Sequence, residues 1–173
     1  KFVRPATILV IIHAKQREKT MNEQANIELI HQVYDAFIKG DSQRLLSFMS
    51  QDIEWEEPQV PNLPFAGKRR GRDEVAQFFQ MVAAAQQLRD FLPGEFIAQD
   101  DRVVVLGHYE WTVRANGADW GSDWVHIFTI RDGQITSFRE LTDTHRAVDA
   151  YQAGQGGTTR NIPVTDAPPP SIH

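Results

Sequence analysis

Two residues of this chain combine acid-base chemistry with unusually apolar company. Glu57 closes the strand-like run Asp52-Ile-Glu-Trp-Glu-Glu-Pro58, and His126 sits within Asp123-Trp-Val-His-Ile-Phe128. A carboxylate held among aromatic neighbours can act as a general base, and an imidazole there can donate a hydrogen bond or shuttle a proton. Neither task requires a metal or an organic cofactor, and none is expected. The competing reading is an exposed glutamate and a satisfied core histidine.

Other residues offer weaker chemistry. Trp55, Trp120 and Trp124 can wall a pocket for a flat polycyclic substrate, although strand aromatics also serve plain core packing. His108 and Glu110 share a strand face two residues apart, a spacing open to a metal but without further histidines nearby in sequence. His145 is placed on the exit from the last strand, as a solvent residue. The chain has no cysteine, which excludes disulfides, thiolate catalysis and cysteine-ligated zinc. A reducing compartment is compatible with that composition, and a cytoplasmic location is the expectation. With a net charge of −5 and scattered basic residues, the chain lacks the basic face that nucleic acid binding needs.

The elements that must hold these residues can be read from periodicity. The 173 residues with 41 % hydrophobic content suit one domain between two less structured ends. The apolar run Ala6 to Ile12 is too short to span a membrane, and Met21 opens directly onto a helical pattern. Residues 1–20 are therefore expected to be a disordered or non-native extension, 21–151 the domain, and 152–173 a disordered tail rich in Gly and Pro.

Within the domain, Ile27, Ile30, Val33, Tyr34, Phe37 and Ile38 recur at helical spacing up to Gly40, and Asp41 can cap a second short helix. A third helix opens at Gly71-Arg-Asp73 and carries Val75, Phe78, Phe79, Val82 and Ala83. Strands are expected over 53–57, 91–98, 103–113, 120–131 and 135–141, with reversals at Asp100-Asp101, Asn116-Gly117 and Asp132-Gly133. Helices followed by a meander imply an α+β fold, three N-terminal helices packed on a curved antiparallel sheet.

Several segments carry a family resemblance: Val33-Tyr-Asp-Ala-Phe-Ile-Lys-Gly-Asp41, Asp52 to Pro58, Pro64 to Arg72 with Val75-Ala-Gln-Phe-Phe79, and Trp124 to Gly133 running into Phe138-Arg-Glu140. Together they resemble the cone-shaped nuclear transport factor 2-like fold, and within it the SnoaL-like polyketide cyclases and the ketosteroid isomerases. The isomerase resemblance implies that Glu57 stands where the proton-abstracting carboxylate belongs, and His126 where a carboxylic acid hydrogen-bonds the dienolate oxygen. The family's first-helix tyrosine position is filled by Val33, and Tyr34 should point about 100° away from it.

The cyclase resemblance implies a different pair, His126 with an acidic acid/base residue at Glu140. Strand alternation agrees, because Trp124, His126 and Phe128 share one face and Phe138, Glu140 and Thr142 share one face of the next strand. Such a pair would fix one imidazole tautomer; a satisfied buried ion pair explains it equally. Arg139 and Asp143 are loosely similar to the Asp-Arg-Asp relay of limonene epoxide hydrolases, without the ordered triad.

These residues point to cofactor-free proton transfer on a small apolar carbonyl compound, of isomerase, cyclase or dehydratase type. Glu57, His126 and Glu140 are the catalytic candidates, with Glu57 or Glu140 as base, His126 as donor to the enolate oxygen, and Trp55, Trp124, Phe128, Tyr34 and Trp120 against the substrate. The alternative is a non-catalytic binding or dimerisation module of the same fold. A homodimer is expected because strands such as Val103-Val-Val-Leu106 are apolar on both faces; no membrane partner is. A fragment from Met21 to Tyr151 should unfold cooperatively on heating, and loss of that transition on removing residues 1–20 would refute the domain boundary.

Overall fold

The computed structural model describes residues 5–60, 63 and 65–153, with side chains from residue 14 onward. Helix α1 spans Pro5–Ile38, and its residues Ile30, Val33 and Tyr34 are buried. It stops at Gly40, whose φ of 68° is left-handed and lets the Asp41 amide donate back to the Ala36 carbonyl at 2.9 Å, a glycine helix stop. Asp41 then caps α2 (Ser42–Ser47) by accepting from the Arg44 amide at 3.0 Å, as its sequence position foretold.

The helix does not begin at Met21. It runs on to Pro5, so residues 5–20 are helical, whereas residues 1–20 were expected to be a disordered or non-native extension. Three side chains tie this helix to the turn at Asp100. Lys19 Nζ lies 3.0 Å from Asp100 Oδ1, Glu23 Oε1 accepts from the Asp100 amide at 3.1 Å, and Asn26 Nδ2 donates to the Asp100 carbonyl at 3.2 Å. Of the expected tail, residues 154–173 lie outside the described residues.

Six strands form one sheet: β1 (Met49–Glu56), β2 (Lys68–Arg70), β3 (Gln86–Gln99), β4 (Arg102–Val113), β5 (Asp119–Arg131) and β6 (Gln134–Thr142), in the order β2-β1-β6-β5-β4-β3. The meander from β3 to β6 is antiparallel, as expected. Its last turn, Asp132-Gly133, has φ of 50° and 72°, the doubly positive pair that suits a two-residue hairpin. Strand β1, however, pairs with β6 in parallel, so the sheet is mixed rather than antiparallel. Parallel neighbours need a long crossover, and here the whole segment from β2 through β5 supplies it.

Helix placement also differs from the expectation of three N-terminal helices. Only α1 and α2 precede the first strand; α3 (Arg72–Ala85) follows β2, and α4 (Thr144–Gln152), capped by Asp143 accepting from the His145 amide at 3.0 Å, closes the described chain. Strand β3 begins at Gln86, directly after α3, five residues before the expected Phe91.

One face of the sheet carries the buried set Val103, Val105, Tyr109, Trp111, Trp120, Trp124, Phe128 and Phe138. The other leaves Ile97, Leu106 and Leu141 exposed. The inner face is crowded at one point: Trp124 lies flat against Gly107, where an added Cβ would come within 2.2 Å of its ring. Gly107→Ala should therefore displace Trp124 and destabilise the fold by about 1–3 kcal/mol, measurable as a lower denaturation midpoint.

Candidate active site

The register of three strands sets the site. On parallel β1 and β6, Trp55 faces Phe138 and Glu56 faces Arg139, so the next residue, Glu57, comes level with Glu140. On antiparallel β6 and β5, Glu140 faces His126. Glu57, Glu140 and His126 thus form one row across neighbouring strands, which lie about 4.8 Å apart. All three point to the inner face and line a single cavity of about 90 Å³, whose wall is otherwise mainly apolar.

Each member of the row has defined partners. Trp55 and Glu57 share a strand face, and the Trp55 indole N–H donates to Glu57 Oε1 at 2.7 Å. The Trp55 ring itself stacks on Phe138 with centroids 3.8 Å apart. His126 is held at both nitrogens: Nδ1 lies 3.0 Å from the Tyr34 hydroxyl and Nε2 lies 3.0 Å from Glu140 Oε2. The second carboxyl oxygen, Glu140 Oε1, accepts from the Tyr109 hydroxyl at 3.1 Å. Thr142 Oγ1 sits 3.0 Å behind that hydroxyl and continues the chain to Ser122 Oγ at 3.0 Å.

Burial sets the protonation of these groups. Withdrawal from water raises the Glu57 carboxyl well above its ordinary value, and the neighbouring Glu140 carboxylate adds to the rise against the weaker pull of the Trp55 N–H and Arg69. The same desolvation lifts Glu140 to about 7, although the Tyr109 hydrogen bond lowers it. It also holds His126 down to about 3, so the imidazole is neutral. Both tyrosines are pushed far up, first by burial and then by the Glu140 charge, and remain hydroxyl donors. The tautomer is tied to Glu140: when its carboxylate is ionised, Nε2–H donates to it and the Tyr34 hydroxyl donates to Nδ1; when it is protonated, its O–H donates to Nε2 and Nδ1–H donates to the Tyr34 oxygen.

The proposed residues divide accordingly. Trp55, Phe128, Tyr34 and Trp120 line the cavity with the three acid-base residues. Trp124 does not; it is a buried backing plate, stacked on the His126 ring with centroids 3.8 Å apart. Tyr34 reaches His126 although Val33 holds the position expected for tyrosine. Both are buried and both touch the cavity, because the face that α1 presents to the sheet is broad enough to include neighbouring residues. His108 and Glu110 sit on the outer face, His108 Nδ1 beside Asp123 at 2.8 Å. Arg139 points outward toward Glu56 at 3.8 Å, and with Asp143 capping α4 no relay forms.

Tyr109 is the functional residue that sequence reading missed. Its signal was present, since it alternates with Val105 and Trp111 on the inner face of β4. Phe78, Phe79 and Phe91 also belong to the wall.

The comparisons with known proteins agree with this architecture. Residues 30–138 match the SnoaL-like domain family, and the chain belongs to that family. It is similar to a nuclear transport factor 2-like protein from Burkholderia xenovorans, at 32 % identity over 74 % of this chain and 96 % of that one, with a TM-score of 0.68. TerC, a protein co-crystallised with polyporic acid, is 32 % identical over 74 % of this chain and 98 % of its own, with a TM-score of 0.66. A protein from Xanthomonas campestris described as a polyketide cyclase is 25 % identical over 69 % and 90 %, with a TM-score of 0.56. None of the curated proteins compared matches the chain.

A pH signature follows from the raised carboxyl. Glu140 binds its proton more tightly in the folded chain, at about 7 against an ordinary 4.5. Its contribution to stability is therefore full below pH 4.5 and is lost as pH rises through 7. Glu140→Gln should remove that dependence, so the variant gains on the parent by on the order of 2–3 kcal/mol between pH 4.5 and 8. Parallel urea titrations at each pH measure the difference.

Proposed function

We propose that the protein is a cofactor-free proton-transfer enzyme acting on a small, mostly apolar carbonyl compound. The observation that carries this reading is the pair Glu57 and Glu140: two buried carboxyls on one apolar cavity, both with raised proton affinity and each held by different partners, the Trp55 indole for one and Tyr109 and His126 for the other. Such pairs separate into an acid and a base.

Glu57, raised well above the ordinary carboxylate range by burial and further by the Glu140 charge, takes the part of the acid and donates its O–H to the substrate carbonyl oxygen. Glu140, titrating near 7, is ionised in part of the population and removes a proton from the carbon beside that carbonyl. The electron pair moves onto the carbonyl oxygen, where the Glu57 hydrogen bond stabilises the enolate. Return of the proton to another carbon gives isomerisation, attack on a second carbonyl gives aldol cyclisation, and loss of hydroxide gives dehydration.

His126 takes a different part from the donor expected for it. Both its nitrogens are committed to protein groups, so it positions Glu140 and tunes its charge together with Tyr34 and Tyr109. That a relative of 32 % identity was crystallised with the organic molecule polyporic acid supports an organic ligand in the cavity. The apolar outer face around Ile97, Leu106 and Leu141 supports the homodimer as part of the same reading. One observation favours the non-catalytic alternative: the His126 ring is fully satisfied within the protein, as a structural core histidine would be.

Deuterium exchange at C2 of 1-tetralone, followed by NMR, separates the two. Glu140→Gln should slow exchange by at least about 100-fold and Glu57→Gln by a smaller factor, each with the ketone's Kd nearly unchanged, because a transition-state role is lost while packing is kept. Exchange that persists in both variants and in His126→Ala would mean that the cavity only binds.

A further inference from the structure

The Trp120 indole brings an unpaired hydrogen-bond donor to the residues that line the cavity. Its side chain is nine-tenths buried, it lines the same cavity as Glu57 and Glu140, and among the described residues no acceptor reaches its Nε1–H. A buried N–H without a partner costs free energy that a native structure normally avoids. Trp55 shows the usual solution in this fold, its indole N–H satisfied by Glu57 at 2.7 Å.

The other unpartnered indole, Trp124 Nε1, has a different setting. Its ring is packed between His126 at 3.8 Å and Phe91 at 5.2 Å between centroids and covers Gly107, away from the cavity wall. Trp120 instead lies edge-on to Tyr109, with ring centroids 5.4 Å apart. The Tyr109 hydroxyl binds Glu140, so the Trp120 ring is separated from the acid-base groups by one aromatic ring. Trp120 and Glu57 line the same cavity, and a molecule whose carbonyl meets Glu57 shares that space with the indole.

We infer that the substrate carries two oxygens: the carbonyl that reacts at Glu57 and Glu140, and a second hydrogen-bond acceptor, a ketone or hydroxyl oxygen on the same cyclic skeleton, that takes the Trp120 N–H. This rests on the carbonyl reading above and narrows the substrate class from an apolar ketone to a dioxygenated cyclic one. Trp120 is then a specificity residue, because a site with a buried donor disfavours a ligand that leaves it unpaired.

The test compares 1-tetralone with 4-hydroxy-1-tetralone, which adds one oxygen across the ring from the carbonyl. The wild-type protein should bind the hydroxyketone about 5- to 10-fold more tightly, the range of one neutral hydrogen bond. Trp120→Phe, which keeps an aromatic ring and deletes the N–H, should abolish that preference, so that the ratio of the two affinities falls to about 1 even if both change. In ¹⁵N-labelled wild-type protein, the Trp120 indole N–H resonance, identified by its disappearance in the variant, should move downfield with the hydroxyketone only. Equal affinities for the two ketones, absence of binding included, or a preference that survives in Trp120→Phe, would overturn the inference. Exchange at C2 without a Trp120-dependent preference would leave the proton-transfer reading intact and remove this one. The preference without exchange would keep the Trp120 hydrogen bond to a second oxygen and remove the reaction at the carbonyl.

Discussion

The desolvation of one row of side chains governs this structure. Glu57, Glu140 and His126 would each prefer water when charged, and the fold places all three on the dry inner face of one sheet. An isolated ion there would cost several kcal/mol, so buried titratable groups either neutralise or find partners. Here they do both. The imidazole is neutral, the carboxyls are raised, and the chain Tyr34, His126, Glu140, Tyr109 passes hydrogen bonds from α1 to β4 through two strands. A network this complete also fixes geometry, because no member can rotate without stranding a buried partner.

The aromatic surroundings serve the same end. Trp124 stacks on His126, and Trp55 stacks on Phe138 while its indole holds Glu57. Each such pair adds about 0.5–1.5 kcal/mol beyond area burial and excludes the water that would return the carboxyls to ordinary acidity. Gly107 belongs to this arrangement, since only a residue without Cβ lets Trp124 lie against the strand beneath it. Long-range packing thereby sets the proton affinity of groups that perform the proposed chemistry.

Helix α1 connects stability to the site. Its Tyr34 touches the row of buried acid-base residues, and about two turns to four turns earlier, Asn26, Glu23 and Lys19 hold the turn at Asp100 between β3 and β4. These outer contacts are exposed and individually weak. Their consequence is positional, because the helix that carries Tyr34 is anchored at the far end of the same strand pair that carries Tyr109.

Much of this was legible in the sequence because it depends on local rules. The family resemblance paired His126 with Glu140 and strand alternation agreed with it, Asp41 was readable as a helix cap, and Asp132-Gly133 as a hairpin turn. Glu57, two residues from Trp55 on an alternating strand, could be assigned to the inner face. What the sequence could not supply was the relation between distant strands. The parallel union of β1 with β6 brings Glu57 level with Glu140, and no periodicity encodes which strand a given strand will join. The same limit hid Tyr109, whose role depends on reaching across β5 to Glu140, and it misplaced Trp124, whose ring turns to Gly107 instead of the cavity. Tyr34 was expected against the substrate but not at the family's tyrosine position, by a one-residue helical register argument that holds for a narrow face and fails on a wide one. Local propensity and alternation determine which side of an element a residue occupies; only the assembled sheet determines what it meets there, since that contact is made between segments far apart in the chain.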